Sequence, residues 1–171
     1  LNVLAGMVMK ENDEANKFIE SFSKVYHYIL HNQDRELIAL GKELEFLQPY
    51  NFLLKKRFPQ SLQIVIDIPP AYHDQYIVPA ALQMLVENAI KHNIASPGKP
   101  LKISITVTNE NELCVRNTLQ PKISNEPSSK IGLKNIDDRY FLTTGQHITI
   151  EQDEKEFIVL LPIVTVEDYA G

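Results

Sequence analysis

Pro79-Ala80-Ala81-Leu82-Gln83-Met84-Leu85-Val86-Glu87-Asn88-Ala89-Ile90-Lys91-His92-Asn93 is the stretch around which the rest of the chain is arranged. At about 100° per residue, Leu82, Leu85, Val86, Ala89 and Ile90 gather on one side of a helix, and Met84, Glu87, Asn88 and Lys91 on the other. His92 falls at the edge between the faces. Pro79 suits the first helical turn, where its missing N–H loses no bond and its fixed φ is already helical. A carboxylate, an amide and an ammonium thus share one face, whose composition alone is also that of any solvated helix surface.

The order of those residues says more. Leu85-Val86-Glu87-Asn88-Ala89-Ile90-Lys91-His92 resembles the N box of the GHKL ATPases, and more narrowly that of the LytS/YehU-like sensor histidine kinases. The resemblance implies that Asn88 holds the Mg²⁺ bound to ATP and that Lys91 touches the phosphates. It implies too that Glu87 polarises the attacking group or accepts its proton, and it counts His92 with the nucleotide-binding residues. The residue types suit that chemistry, because an amide oxygen is a hard ligand for Mg²⁺ and an ammonium is a point charge for phosphate oxygens.

Working outward, 171 residues at 44% apolar, with seven Phe and seven Tyr, suffice for one or two small domains with a real core. The formal charge of −5, with no basic patch in the sequence, argues against direct nucleic-acid binding. No run approaches the roughly 18 apolar residues of a membrane span. The single cysteine, Cys114, lies between Leu113 and Val115 in a strand-like run. It is expected to be a small buried hydrophobe, and it allows no internal disulfide, which fits a reducing cytoplasm. A start at Leu1, without a signal peptide, suggests a piece of a longer protein.

The first third is helical. Phe18, Ile19, Phe22, Val25, Tyr26, Ile29 and Leu30 recur at three- and four-residue steps, with Asp13 as the expected N-cap. After the polar break His31-Asn32-Gln33-Asp34, residues Leu37, Leu40, Leu44, Leu47, Leu54 and Phe58 follow a seven-residue rhythm, with Asn51 at an interior position. Pro49 withdraws the N–H that would bond the Glu45 carbonyl, and a bend is expected there. Two such helices make an antiparallel hairpin, and the wide apolar stripe of the second predicts pairing with another copy as a four-helix bundle.

Ser23-Lys24-Val25-Tyr26-His27-Tyr28-Ile29-Leu30 and Lys42-Glu43-Leu44-Glu45-Phe46-Leu47 also resemble the dimerisation hairpin of the LytS/YehU-like kinases. In that family the phosphorylated His lies in a Pro-His-Phe-Leu-Phe-Asn motif just ahead of a segment like Leu1-Asn2-Val3-Leu4, and this sequence does not contain the motif. His27 and His31 are one turn apart, but no third ligand lies near them in sequence, so they are expected to be exposed structural residues.

Beyond Phe58-Pro59 the period changes from helical to two. Leu62, Ile64, Ile66 and Ile68 alternate with Gln63, Val65 and Asp67, until Pro69-Pro70 ends the strand. Leu101, Ile103, Ile105 and Val107 alternate with polar residues, and Asn109–Glu112 turns into Leu113–Asn117 as a hairpin partner. Ile148–Ile150 and Phe157–Leu161 make a second hairpin. A mixed sheet with helices on one face follows.

Two further pieces of the resemblance depart from its usual pattern. Where most histidine kinases carry an Asp at the end of a strand, Val115-Arg116-Asn117-Thr118-Leu119 puts Asn117 in its place. By the resemblance Asn117 would accept the adenine amino group, more weakly than a carboxylate, although it is also a residue type that closes strands. Gln120 to Lys130, with Pro121 and Pro127, corresponds to the ATP lid. Its end, Ser128-Ser129-Lys130-Ile131-Gly132-Leu133, keeps only the last glycine of the family's Gly-x-Gly-x-Gly-Leu. Gly132 would let backbone approach the phosphates, with Leu133 beside it at the start of a helix whose N–H groups point at them.

Together these expectations define an α+β chain. Residues 1–58 form an incomplete helical dimerisation hairpin lacking the phosphoacceptor motif, and 59–171 form an ATP-binding catalytic domain of GHKL (Bergerat) type, a mixed sheet covered by helices on one face. The implied function is transfer of the ATP γ-phosphate to a His upstream of this piece and thence to an Asp of a response regulator, with ATP and Mg²⁺ as cofactors. The implied partners are a second copy and that regulator, and the implied place is the cytoplasmic side of an inner-membrane sensor, anchored by segments outside this chain. Asn117 and the glycine-poor lid favour an alternative, a pseudokinase or nucleotide-gated dimer scaffold; a pure interaction bundle is the third reading.

Overall fold

The computed structural model describes residues 12–32, 35–122 and 130–165. Helix α1 spans Asn12–Asn32, with Asp13 and Glu14 inside its first turn, so Asp13 is a dipole-compensating residue of the helix rather than its cap. Helix α2 spans Leu40–Arg57 and continues through Pro49 as one element; Lys55, Lys56 and Arg57 face the negative end of its dipole. Glu14 pairs with Lys56 near one end of the hairpin. Near the other end Tyr28 donates to Glu43 and stacks on Phe46 with ring centroids 3.9 Å apart, so the helices run antiparallel as expected.

The burial of this hairpin corrects one expectation. Leu37, Leu40, Leu47 and Leu54 are buried within the chain itself, in the same contiguous core as Leu82, Val86, Ile103 and Val159. The α2 stripe therefore needs no second copy to cover it. The uncovered apolar residues lie on α1 instead, where Ile19, Phe22, Tyr26 and Leu30 are 49%, 59%, 56% and 48% exposed.

Five strands form the main sheet: β2 (Leu62–Asp67), β4 (Leu101–Val107), β5 (Glu112–Thr118), β6 (Thr149–Gln152) and β7 (Glu156–Pro162), in the order β2-β4-β5-β7-β6. Only β2 and β4 pair in parallel, with Leu62 opposite Leu101, and the crossover between them carries helix α3 (Ala81–His92). Ile103, Ile105, Val115 and Val159 turn inward, while Lys102 and Arg116 stay exposed on the other face. Cys114 is buried and free, as expected. Helix α4 (Lys130–Thr144) adds Ile136 and Tyr140 to the core. The result is the mixed α+β architecture that the alternation predicts.

A second, two-stranded sheet was not legible in the sequence. Strand β1 (Ile38–Ala39), ahead of α2, pairs antiparallel with β3 (Tyr76–Ile77), and Tyr76 bridges to Val164 near the far end of the chain. The start of α2 is thereby tied to the segment that enters α3. Helix α3 also begins later than expected, at Ala81, with Pro79 outside it and Ala80 in the left-handed region at φ 61°. The cause is tertiary, since the Ala80 N–H donates to the Glu43 carboxylate on α2 at 3.1 Å rather than to a local cap.

Candidate functional site

Helix α3 turns its apolar side, Leu82, Leu85, Val86 and Ala89, into the core, and this orientation fixes where its polar face points. That face borders a cavity of about 740 Å³. Met84, Glu87, Asn88, Ile90 and Lys91 line it from α3, Tyr50, Leu54 and Arg57 from α2 with Phe58 just beyond, and Lys122 and Gly132 from the far side. The structure thus brings together Glu87, Asn88, Lys91 and Gly132 of the residues singled out in the sequence. Tyr50, Arg57 and Lys122 join them without having been anticipated.

Glu87 is exposed, and its Oε1 accepts two hydrogen bonds, from the Tyr50 hydroxyl at 3.0 Å and from Gln83 Nε2 at 2.9 Å. Burial, followed by the charge and bond of Glu87, pushes the Tyr50 phenol well above its ordinary range, so it remains a donor. Arg57, Lys91 and Lys122 set three cations around the cavity against this one carboxylate.

Lys122 also closes the C-terminal end of α3. Its Nζ donates to the carbonyls of Ile90 at 2.8 Å and Lys91 at 3.0 Å, and its backbone N–H donates to that of His92 at 3.0 Å. A cation on the last carbonyls of a helix satisfies orphan acceptors and opposes the dipole. Asn93 completes the junction, donating to Ala89 O and accepting from the Gln120 N–H at 2.7 Å. The strand leaving β5 is in this way held against the helix that carries Asn88 and Lys91.

Three other expected site residues do not line the cavity. His92 is half-buried, and burial first, then the charges of Lys91 and Lys122, hold its imidazole below the usual value. Asn117 is buried in β5 between Ile103 and Phe157, with its amide donating to Thr118 O at 2.8 Å. Leu133 packs against the core. Gly132 lies inside the first turn of α4 rather than ahead of it, and a Cβ built there would meet nothing within 4 Å. Of the expected lid, residues 123–129 lie outside the described part of the chain, as do the side chains of Lys130 and Ile131. Arg139, on α4, donates to Pro79 O at 3.1 Å, ahead of α3.

At the opposite end of α3 sits Glu43, fully buried. Burial raises its carboxyl to about 6, although bonds from the Tyr28 hydroxyl and the Ala80 amide pull the other way. A carboxylate there compensates the positive end of the α3 dipole from a neighbouring helix.

The cavity fits a magnesium nucleotide. Its volume lies within the roughly 300–1,000 Å³ of small-molecule sites. Its three cations suit an anionic tail, and the Asn88 amide supplies a hard oxygen. Among the described residues no group of three or more His, Cys, Asp or Glu could hold a metal alone, so a divalent ion here would depend on phosphate oxygens, as Mg²⁺ commonly does.

This fold, with a polar helix face on a cavity beside a mixed sheet, is that of histidine kinase catalytic domains. It matches the catalytic domain of the histidine kinase ThkA at a TM-score of 0.50 and 20% identity, covering 74% of this chain and 93% of that one. The histidine kinase domain of the Erythrobacter litoralis EL346 blue-light activated kinase matches at 0.51 and 14%, covering 95% and 79%. A histidine kinase family model matches residues 1–62. The sensor protein LytS of Enterococcus faecalis is 29% identical over 107 residues, 63% of this chain and 18% of that protein. LytS of Staphylococcus haemolyticus is 30% identical over 112 residues, 66% and 19%. The sensor histidine kinase/phosphatase LytS of Staphylococcus aureus is 28% identical over 120 residues, 70% and 20%. The chain is thus similar to the histidine kinase family over residues 1–62 and to the LytS sensors over some two thirds of its length, and it matches about a fifth of the length of those proteins.

Proposed function

We propose that this chain is the ATP-binding and catalytic region, with most of the dimerisation hairpin, of a sensor histidine kinase that moves the γ-phosphate of ATP to a histidine and thence to an aspartate of a response regulator. The observation that carries this reading is the α3 cavity, where Asn88 and Lys91 share one opening with Arg57 and Lys122. Within it, Asn88 contributes an amide oxygen to the Mg²⁺ of the nucleotide, and Arg57, Lys91 and Lys122 neutralise phosphate charge. Bound Mg·ATP supplies the phosphoryl group, and positioning with charge neutralisation is the greater part of catalysis in such transfers. Glu87, held by Tyr50 and Gln83, takes the proton of the incoming nucleophile. Gly132 leaves open space for the phosphate tail, and the resemblance would have Asn117 accept the adenine amino group, although Asn117 does not line the cavity.

The functional division falls at residues 1–58 and 59–171, although the two parts share a core. A second copy covers the α1 stripe of Ile19, Phe22, Tyr26 and Leu30, making the homodimer. Segments outside this chain anchor the parent protein in the inner membrane and place this region on its cytoplasmic side; among the described residues no helix is long and apolar enough to cross a membrane. Calorimetry with ATP, with and without Mg²⁺, tests the reading. Mg²⁺-dependent binding that Asn88→Ala abolishes is the expected result, and a chain that binds no nucleotide would overturn it. One observation favours the second reading, a pseudokinase scaffold: the Asn117 amide bonds its own strand and lies off the cavity lining.

A further inference from the structure

Helices α2 and α3 are joined by two polar ties of equal spacing. Glu43 and Tyr50 are seven residues apart on α2, and their partners, Ala80 and Glu87, are seven apart at the start and along the length of α3. Seven residues return to nearly the same side of a helix, so both ties lie along one seam. The upper tie anchors the first amide of α3 to a fully buried carboxylate. The lower tie reaches the Glu87 carboxylate at the cavity edge, and Gln83, one turn earlier on α3, binds the same oxygen.

We propose that Tyr50 is a positioning residue of the nucleotide site, holding the Glu87 carboxylate on the α2 side of the cavity so that the surrounding cations stay available to an anionic ligand. This rests on the nucleotide-binding reading of the cavity. Both bonds to Glu87 fall on Oε1, which fixes the side chain by one oxygen. Tyr50 is itself rigidly seated, being buried and stacked on Phe46 at 5.8 Å between ring centroids. Without its hydroxyl the carboxylate keeps only the Gln83 bond, from its own helix, and can swing toward Lys91, one helical turn along α3, where it would compete with phosphate for the ammonium. Asn88 and Lys91 alone would then not account for affinity; the side chain on α2 that restrains their acidic neighbour contributes as well.

Calorimetry of the whole chain with Mg²⁺ and a non-hydrolysable ATP analogue tests this in a double-mutant cycle. Tyr50→Phe, which deletes one oxygen and keeps the stacked ring, is expected to weaken binding roughly fivefold, the usual worth of one hydrogen bond. Glu87→Gln alone should leave affinity unchanged or tighter. The double variant should match Glu87→Gln, because with no carboxylate to restrain the hydroxyl has nothing to do. Tyr50→Phe binding as wild type would overturn the proposal, and so would a loss in the double variant equal to that of Tyr50→Phe, which would mark a merely structural role. If the unmutated chain binds no nucleotide at all, the function proposed above fails as well; if it binds and Tyr50→Phe does not matter, only this inference fails.

Discussion

Glu43→Gln removes the only carboxylate that is buried among the described residues, and its effect on stability has a definite dependence on pH. Burial raises the Glu43 pKa from 4.5 to about 6, so the folded chain binds this proton more tightly than the unfolded chain does. Stability therefore falls as pH rises from about 4.5 to about 6, and the loss is complete above that window. The two values differ by about 1.5, which corresponds to ~2 kcal/mol. The Glu43→Gln protein has no such proton and lacks this slope. Its side chain keeps an oxygen for the Tyr28 hydroxyl and the Ala80 N–H, so it is expected to fold.

Urea unfolding of both proteins from about pH 4 to about pH 7.5 reads the difference directly. Across the window the stability of Glu43→Gln relative to wild type should rise by ~2 kcal/mol, a change of about 1 M in the relative midpoint at a slope of ~2 kcal/mol/M. Tyr28→Phe should move the wild-type window upward, because it removes a bond that favours the charged carboxylate. Stability curves for wild type and Glu43→Gln that run parallel between pH 4.5 and 6 would refute the reasoning and show that Glu43 is solvated in the folded chain.

Asn88→Ala should abolish Mg²⁺-dependent ATP binding while the chain stays folded, checked by calorimetry and thermal unfolding. Phe22→Asp with Tyr26→Asp should give a folded monomer by sedimentation, since each of these rings, a little over half exposed, forfeits about half of the roughly 1.5–3 kcal/mol that full burial is worth. Leu44→Asp with Leu47→Asp should instead unfold the chain, because Leu47 is 3% exposed in the shared core and a buried unpaired charge costs several kcal/mol. Incubated with radiolabelled ATP, the chain should bind nucleotide without labelling itself; label on His27 or His31 would place the phosphoacceptor in α1.

The sequence by itself determined the long helices, the strands of the main sheet and the identity of the α3 face. Period and alternation are properties of consecutive residues, so Leu82, Leu85, Val86 and Ala89 had to share one side of a helix and Glu87, Asn88 and Lys91 another. The strands at 62–67, 101–107 and 112–118 follow from alternation in the same way. What periodicity leaves open is which surface covers an apolar stripe. The α2 leucines and the α1 apolar residues both recur at helical spacing, and only the packed fold sends the first into the core and leaves the second exposed. The remaining features are pairs far apart in the chain. Tyr50 and Glu87 are 37 residues apart, Glu43 and Ala80 37, and Lys122 and Ile90 32. No local signal joins such partners, because what brings them together is burial of the α2, α3 and sheet surfaces against one another, and polar side chains near that seam then take whichever donors and acceptors the packing leaves within reach.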